Sequence, residues 1–132
     1  MIIRLGAAED FSAYVGGAKF PAEWCCGSPV GLVAEDDGHI VAVAMVTRDQ
    51  AGRLWLWYNA RVALSAVTLH RLATRLLEQL KRAGASEIYA FCDERVETAA
   101  RWLERLGFEP KCRVRHPAPP CEEKVAWACP LN

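Results

Sequence analysis

The chain has 132 residues, 52% hydrophobic and 24% charged, which suits one globular domain, residues 1–132, large enough to bury a core without staples. Sixteen basic and sixteen acidic residues cancel, which argues against a nucleic-acid partner or an anionic membrane surface. The longest apolar run, Ile40 to Val46, is far too short to span a bilayer, and the first ten residues carry no apolar leader core, so the expected location is cytoplasmic.

Ile2 to Leu5 is a short strand candidate, and Phe11, Tyr14 and Val15 after Glu9-Asp10 suit a first helix. The stretch from Lys19 to Pro29, with two prolines, a glycine and a serine, should be loop or broken helix. Gly31 to Glu35 and His39 to Val46 are apolar runs around Asp36-Asp37-Gly38, a strong hairpin signal. In Leu54 to Tyr58 both alternating sets of side chains are apolar or aromatic, so neither face of this strand expects bulk water and it reads as central.

From Ser65 the period changes to three and four. Leu69, Leu72, Ala73, Leu76 and Leu80 make one face of a helix, Arg71, Arg75, Glu78 and Arg82 the other, and Gly84 closes it. Ser86 to Cys92 alternates again as a strand, which the helical crossover should place parallel to Leu54 to Tyr58. Val96, Ala99, Ala100, Leu103 and Leu106 outline a second amphipathic helix ending at Gly107. Lys111 to Arg115 and Lys124 to Ala128 complete the order β-α-β-β-β-α-β-α-β-β.

Six cysteines without a CxxC pair, in a chain with no export signal, are expected to stay reduced. Cys112, His116, Cys121 and Cys129 are ligand types for zinc, but their spacing matches no compact site, and no metal is expected. Lys111, Arg113, Arg115 and His116 are expected to put several cations on one strand face, either meeting an acidic partner or guarding a sheet edge.

This order, with particular residues, resembles the GNAT N-acetyltransferase superfamily. Ile3-Arg4 before Glu9-Asp10 is similar to the opening strand and helix start of that family, and Asp36-Asp37-Gly38 to its second hairpin. The segment Arg101 to Phe108, RWLERLGF, is similar to its closing "fYeklGF" stretch. The resemblance implies an α/β fold with a mixed, V-shaped sheet whose fourth strand (Leu54 to Tyr58) and fifth (Ser86 to Cys92) splay apart to admit acetyl-CoA. It implies an acyl-CoA-dependent N-acetyltransferase acting on an amine, small-molecule or protein, and it allows a homodimer paired through C-terminal strands. The alternative is a binding or assembly protein on the same fold that has lost CoA chemistry.

The cofactor is implied to lie on the backbone at Trp57 and Tyr58 and on the helix start at His70, Arg71 and Ala73. That helix start departs from the family. Thr68 to Ala73 stands where the family has Gln/Arg-x-x-Gly-x-Gly/Ala, whose glycines let backbone N–H groups reach the pyrophosphate, and only Ala73 fits. Leu103 replaces the tyrosine that serves as general acid. For the reaction itself, Tyr58 and Asn59 end the central strand where backbone N–H groups could polarise a thioester, or they form its rim. Asp93, at the end of the fifth strand, could be a base or could cap the second helix. His70 and Arg71 could bind an anion or, with Ser65 as N-cap, lie well inside the helix in solvent.

Overall fold

The computed structural model describes residues 1–6, 10, 30–60, 64–92, 97–117 and 121–131. Among them, strands β1 (Ile2–Leu5), β2 (Val30–Asp36), β3 (His39–Arg48), β4 (Leu54–Ala60), β5 (Glu87–Phe91), β6 (Glu109–Arg115) and β7 (Glu123–Pro130) form one sheet in the order β1-β2-β3-β4-β5-β7-β6. Helices α1 (Ala66–Arg82) and α2 (Glu97–Leu106) precede β5 and β6. The mixed α/β sheet expected from the sequence is present, and β4–β5 is its parallel pair. The helix expected after Glu9 lies outside the described residues except for Asp10, whose carboxylate accepts from the Arg4 guanidinium at 3.0 Å.

Local chemistry accounts for the element ends. Asp37 and Gly38 both have positive φ, 54° and 76°, as the two-residue turn joining twisted antiparallel strands requires. The Ser65 hydroxyl accepts from the Thr68 N–H at 3.1 Å and caps α1. Ser65→Ala should cost about 1 kcal/mol of stability, read as a lower urea midpoint with unchanged slope. At the other end Gly84 turns left-handed (φ 90°), while its N–H and that of Ala85 donate to the Lys81 and Leu80 carbonyls. α2 ends the same way at Gly107: Phe108 donates back to the Leu103 carbonyl at 2.9 Å, and both side chains are buried together. The Leu-Gly-Phe run is therefore a helix stop whose flanking residues clamp it hydrophobically.

Both helices lie on one face of the sheet. Leu72, Leu76, Leu77 and Leu80 of α1 and Leu103 of α2 bury against Leu32, Ala44, Leu56, Ile88 and Trp127. Burying each such leucine contributes roughly 1.5–3 kcal/mol, so packing rather than propensity holds α1. The opposite face is aromatic around Trp55, Tyr89, Trp57 and Phe91, and grades into Val33, Val43 and Met45. β4 is the middle strand, and Trp55 (0% exposed) and Leu56 (8%) are shielded as expected. Its far end differs from expectation: Tyr58 is 38% exposed.

Candidate functional site

The β4–β5 ladder contains two registered pairs, Trp55↔Tyr89 and Leu56↔Ala90. Beyond them β4 continues to Ala60, still paired with β3, while β5 stops at Phe91. The ladder thus ends at the C-terminal end of a parallel pair, where ligands of such sheets are met. Strand alternation sends Tyr58 to the helix-bearing face and Trp57 to the aromatic one.

On the helix face, α1 and α2 enclose a groove of about 510 Å³ near Tyr58, lined by His70, Arg71, Thr74, Trp102 and Arg105 together with Ala66 and Val67. Residues 70, 71 and 74 fall on one side of α1, away from the leucines that seat it. Its described lining carries two arginines and a histidine. Arg71 and Arg105 are exposed and His70 is half-buried. Thr74 is turned inward, its hydroxyl donating to the His70 carbonyl at 2.9 Å. The Trp102 ring stands edge-on to Tyr58, 6.2 Å between centroids, and its buried Nε1–H meets no acceptor among the described residues.

The residues singled out from sequence separate in space. Tyr58 sits beside the groove, and His70 and Arg71 line it. Because Ser65 caps α1, both lie more than a turn inside the helix, where side chains rather than free N–H groups face a ligand. Ala73 is buried, 3% exposed, and is not among the residues lining the groove. Trp57 is on the opposite face, its indole N–H donating to the Thr47 hydroxyl at 2.8 Å. Asn59 is described by its backbone, opposite Val43, and Asp93 lies outside the described residues. Trp102 and Arg105 were not legible as site residues. Their only signal was spacing on α2, and the proximity of α1 to α2 is tertiary.

Leu103 is 4% exposed and packs into the core, so the position of the family's tyrosine acid offers no proton here. An anionic, phosphate-bearing cofactor is nevertheless compatible with the groove: its cations supply charge where the glycine-rich cradle is absent. The four expected cations of β6 do not share a face. A bulge between Pro110 and Cys112 frees Lys111, which pairs with Glu87 at 2.9 Å and sits over the Tyr89 ring, whereas His116 packs on the aromatic face and Arg113 and Arg115 are exposed. Cys129 is buried, which pushes its thiol pKa up, and its Sγ lies against the Leu106 carbonyl; Cys112 and Cys121 are exposed. No helix among the described residues is long and apolar enough to cross a membrane.

A family model described as "Acetyltransferase (GNAT) family" matches residues 7–108. No curated protein sequence matches the chain. Among solved structures, an acetyltransferase of the GNAT family from Streptococcus pneumoniae superposes with a TM-score of 0.72 at 13% identity, covering 99% of each chain. The aminoglycoside 6'-N-acetyltransferase from Enterococcus faecium gives 0.70 at 13% identity, covering 100% of this chain and 98% of its own. A GNAT superfamily phosphinothricin acetyltransferase from Sinorhizobium meliloti, solved in complex with acetyl-CoA, gives 0.63 at 18% identity, covering 95% and 68%. At these identities the structural likeness establishes the fold alone.

Proposed function

Since the chain belongs to the acetyltransferase (GNAT) family, we propose that it transfers an acyl group, acetyl foremost, from coenzyme A to the nitrogen of an amine. The observation that carries this is the early end of the β4–β5 ladder beside a groove whose described lining includes Arg71, Arg105 and His70. Arg71 and Arg105, with His70, hold the phosphates through side chains, in place of the backbone N–H groups that a glycine-rich turn would offer. The acyl arm lies where the β4–β5 register ends, at the C-terminal end of the parallel pair. Tyr58 and Trp102 stand edge-on to each other beside the groove, 6.2 Å between centroids. When bound, acetyl-CoA supplies an electrophilic thioester carbonyl and a thiolate leaving group. Leu103 is buried and supplies no proton, and the leaving sulfur takes its proton from the attacking amine.

The amine is not chosen by the fold, since the similar structures include one named for an aminoglycoside and one for phosphinothricin. The test is calorimetric titration with acetyl-CoA, paired with thermal unfolding. Binding should add about 2.7 kcal/mol of stability at a hundredfold excess over Kd. Arg71→Ala should weaken binding about tenfold, or roughly 1.4 kcal/mol, and affinity should fall with added salt. A flat response of the wild-type protein to both acetyl-CoA and CoA would sink the proposal. Tighter binding by Arg71→Ala would instead make the arginine an obstruction and overturn the side-chain phosphate clamp.

A further inference from the structure

The groove between α1 and α2 holds a donor that the fold itself does not use. The Trp102 indole Nε1–H is buried and meets no acceptor among the described residues, although the side chain as a whole is only half-buried and lines the groove. The tryptophans of β4 differ: Trp55 donates to the Asp49 carboxylate at 2.9 Å and Trp57 to the Thr47 hydroxyl at 2.8 Å. Thr74, which brings a hydroxyl to the groove, is also committed, donating to the His70 carbonyl at 2.9 Å. Buried donors in folded proteins are as a rule matched with acceptors, so one left over beside a cavity points to an acceptor that arrives with a ligand.

The surroundings indicate which acceptor. Trp102 and Arg105 lie three residues apart on α2, so their side chains leave the same flank of the helix, and Arg71 lines the groove from α1. An indole N–H donates only and carries no charge. Beside two guanidinium groups it adds direction to their charge, a combination suited to a phosphate oxygen. We propose that the Trp102 indole N–H is the third donor to the phosphate held by Arg71 and Arg105, and that the ring turns to deliver it.

The turn is required because Nε1 is shielded while other parts of the side chain border the groove. Tyr58, edge-on to Trp102 at 6.2 Å and 38% exposed, borders solvent, so the movement has room on that side. A ligand favours the turned ring by the hydrogen bond it gains only there. That the phosphate belongs to an acyl donor rests on the acyl-transfer reading.

The test uses the full chain with its tryptophan indoles isotope-labelled, the Trp102 signal being assigned through Trp102→Phe. Pyrophosphate, CoA and pantetheine, the arm of CoA without phosphate, are titrated in turn while NMR follows the indole N–H groups. Expected is a downfield movement of the Trp102 Nε1–H signal with pyrophosphate and with CoA, and none with pantetheine. Trp102→Phe keeps an aromatic ring but has no donor, and calorimetry should find its CoA affinity lowered about tenfold or more. CoA binding that leaves the Trp102 signal in place overturns the proposal, as does a folded Trp102→Phe protein that binds CoA within twofold of wild type. Movement with pantetheine but not with pyrophosphate overturns the phosphate contact. If CoA does not bind while pyrophosphate still moves the Trp102 signal, the acyl-transfer reading falls and the third donor stands; silence toward both defeats both.

Discussion

Asp49→Ala should cost about 3 kcal/mol of stability, read as a lower urea midpoint and a changed tryptophan emission. The carboxylate is 5% exposed in the β3–β4 turn and accepts three hydrogen bonds: from the Trp55 indole at 2.9 Å, the Arg53 N–H at 2.9 Å and the Arg53 guanidinium at 2.8 Å. Arg53 can regain water, but fully buried Trp55 cannot, so the orphaned indole N–H carries most of the loss. Trp55 also supports Tyr89 and Phe91, which places this turn behind the ring cluster at the strand gap. Asp49→Asn keeps an acceptor and should lose about half as much.

The same contacts give a pH dependence. Burial pushes the Asp49 pKa up, but hydrogen bonds from Trp55 and Arg53, with the charge of Arg53, outweigh it and leave the pKa below the ordinary carboxylate value. A folded pKa below the unfolded one means that the stabilisation is fully present above about pH 4 to 5 and is lost as pH falls through the folded value. Unfolding midpoints measured downward from pH 6 should therefore drop more steeply for the wild type than for Asp49→Asn.

Gly31→Ala should also cost about 3 kcal/mol, by overpacking. A methyl group there would press on the Ala44 carbonyl oxygen and stand 2.7 Å from Met45 Cα. Both obstacles are main chain of the neighbouring strand, fixed in register at Gly31↔Met45, so neither can swing aside as a flexible side chain would. The contrast is Gly52→Ala, where nothing lies within 4 Å and only the positive φ of 82° resists, so its cost should be smaller, about 1 kcal/mol. A Gly31→Ala protein with a wild-type urea midpoint would mean that β2 and β3 do not approach so closely.

The proposed phosphate site at Arg71 and Arg105 would depend on long side chains and on salt, whereas one built from backbone N–H groups would depend on helix geometry.

Much of the architecture is a local property of the chain. The period-two run at Leu54, the period-four leucines from Leu69, the Asp-Gly turn, the Ser65 cap and the Gly84 and Gly107 stops each act within a few residues, so reading them in order yields the elements and the parallel crossover. The departure from glycine at Arg71 was visible for the same reason. What could not be read was which side chains meet across elements. The groove joins Arg71 to Arg105 and Trp102 because α1 and α2 pack side by side, a contact set by the shared core and by no motif. His116 appeared to belong with the β6 cations, but the bulge at Lys111 and the strand register carry it to Trp57 and Phe91, on the other face from the groove. Local propensity and periodicity determine the pieces; long-range packing and register, which bring residues 71 and 105 together, decide the site.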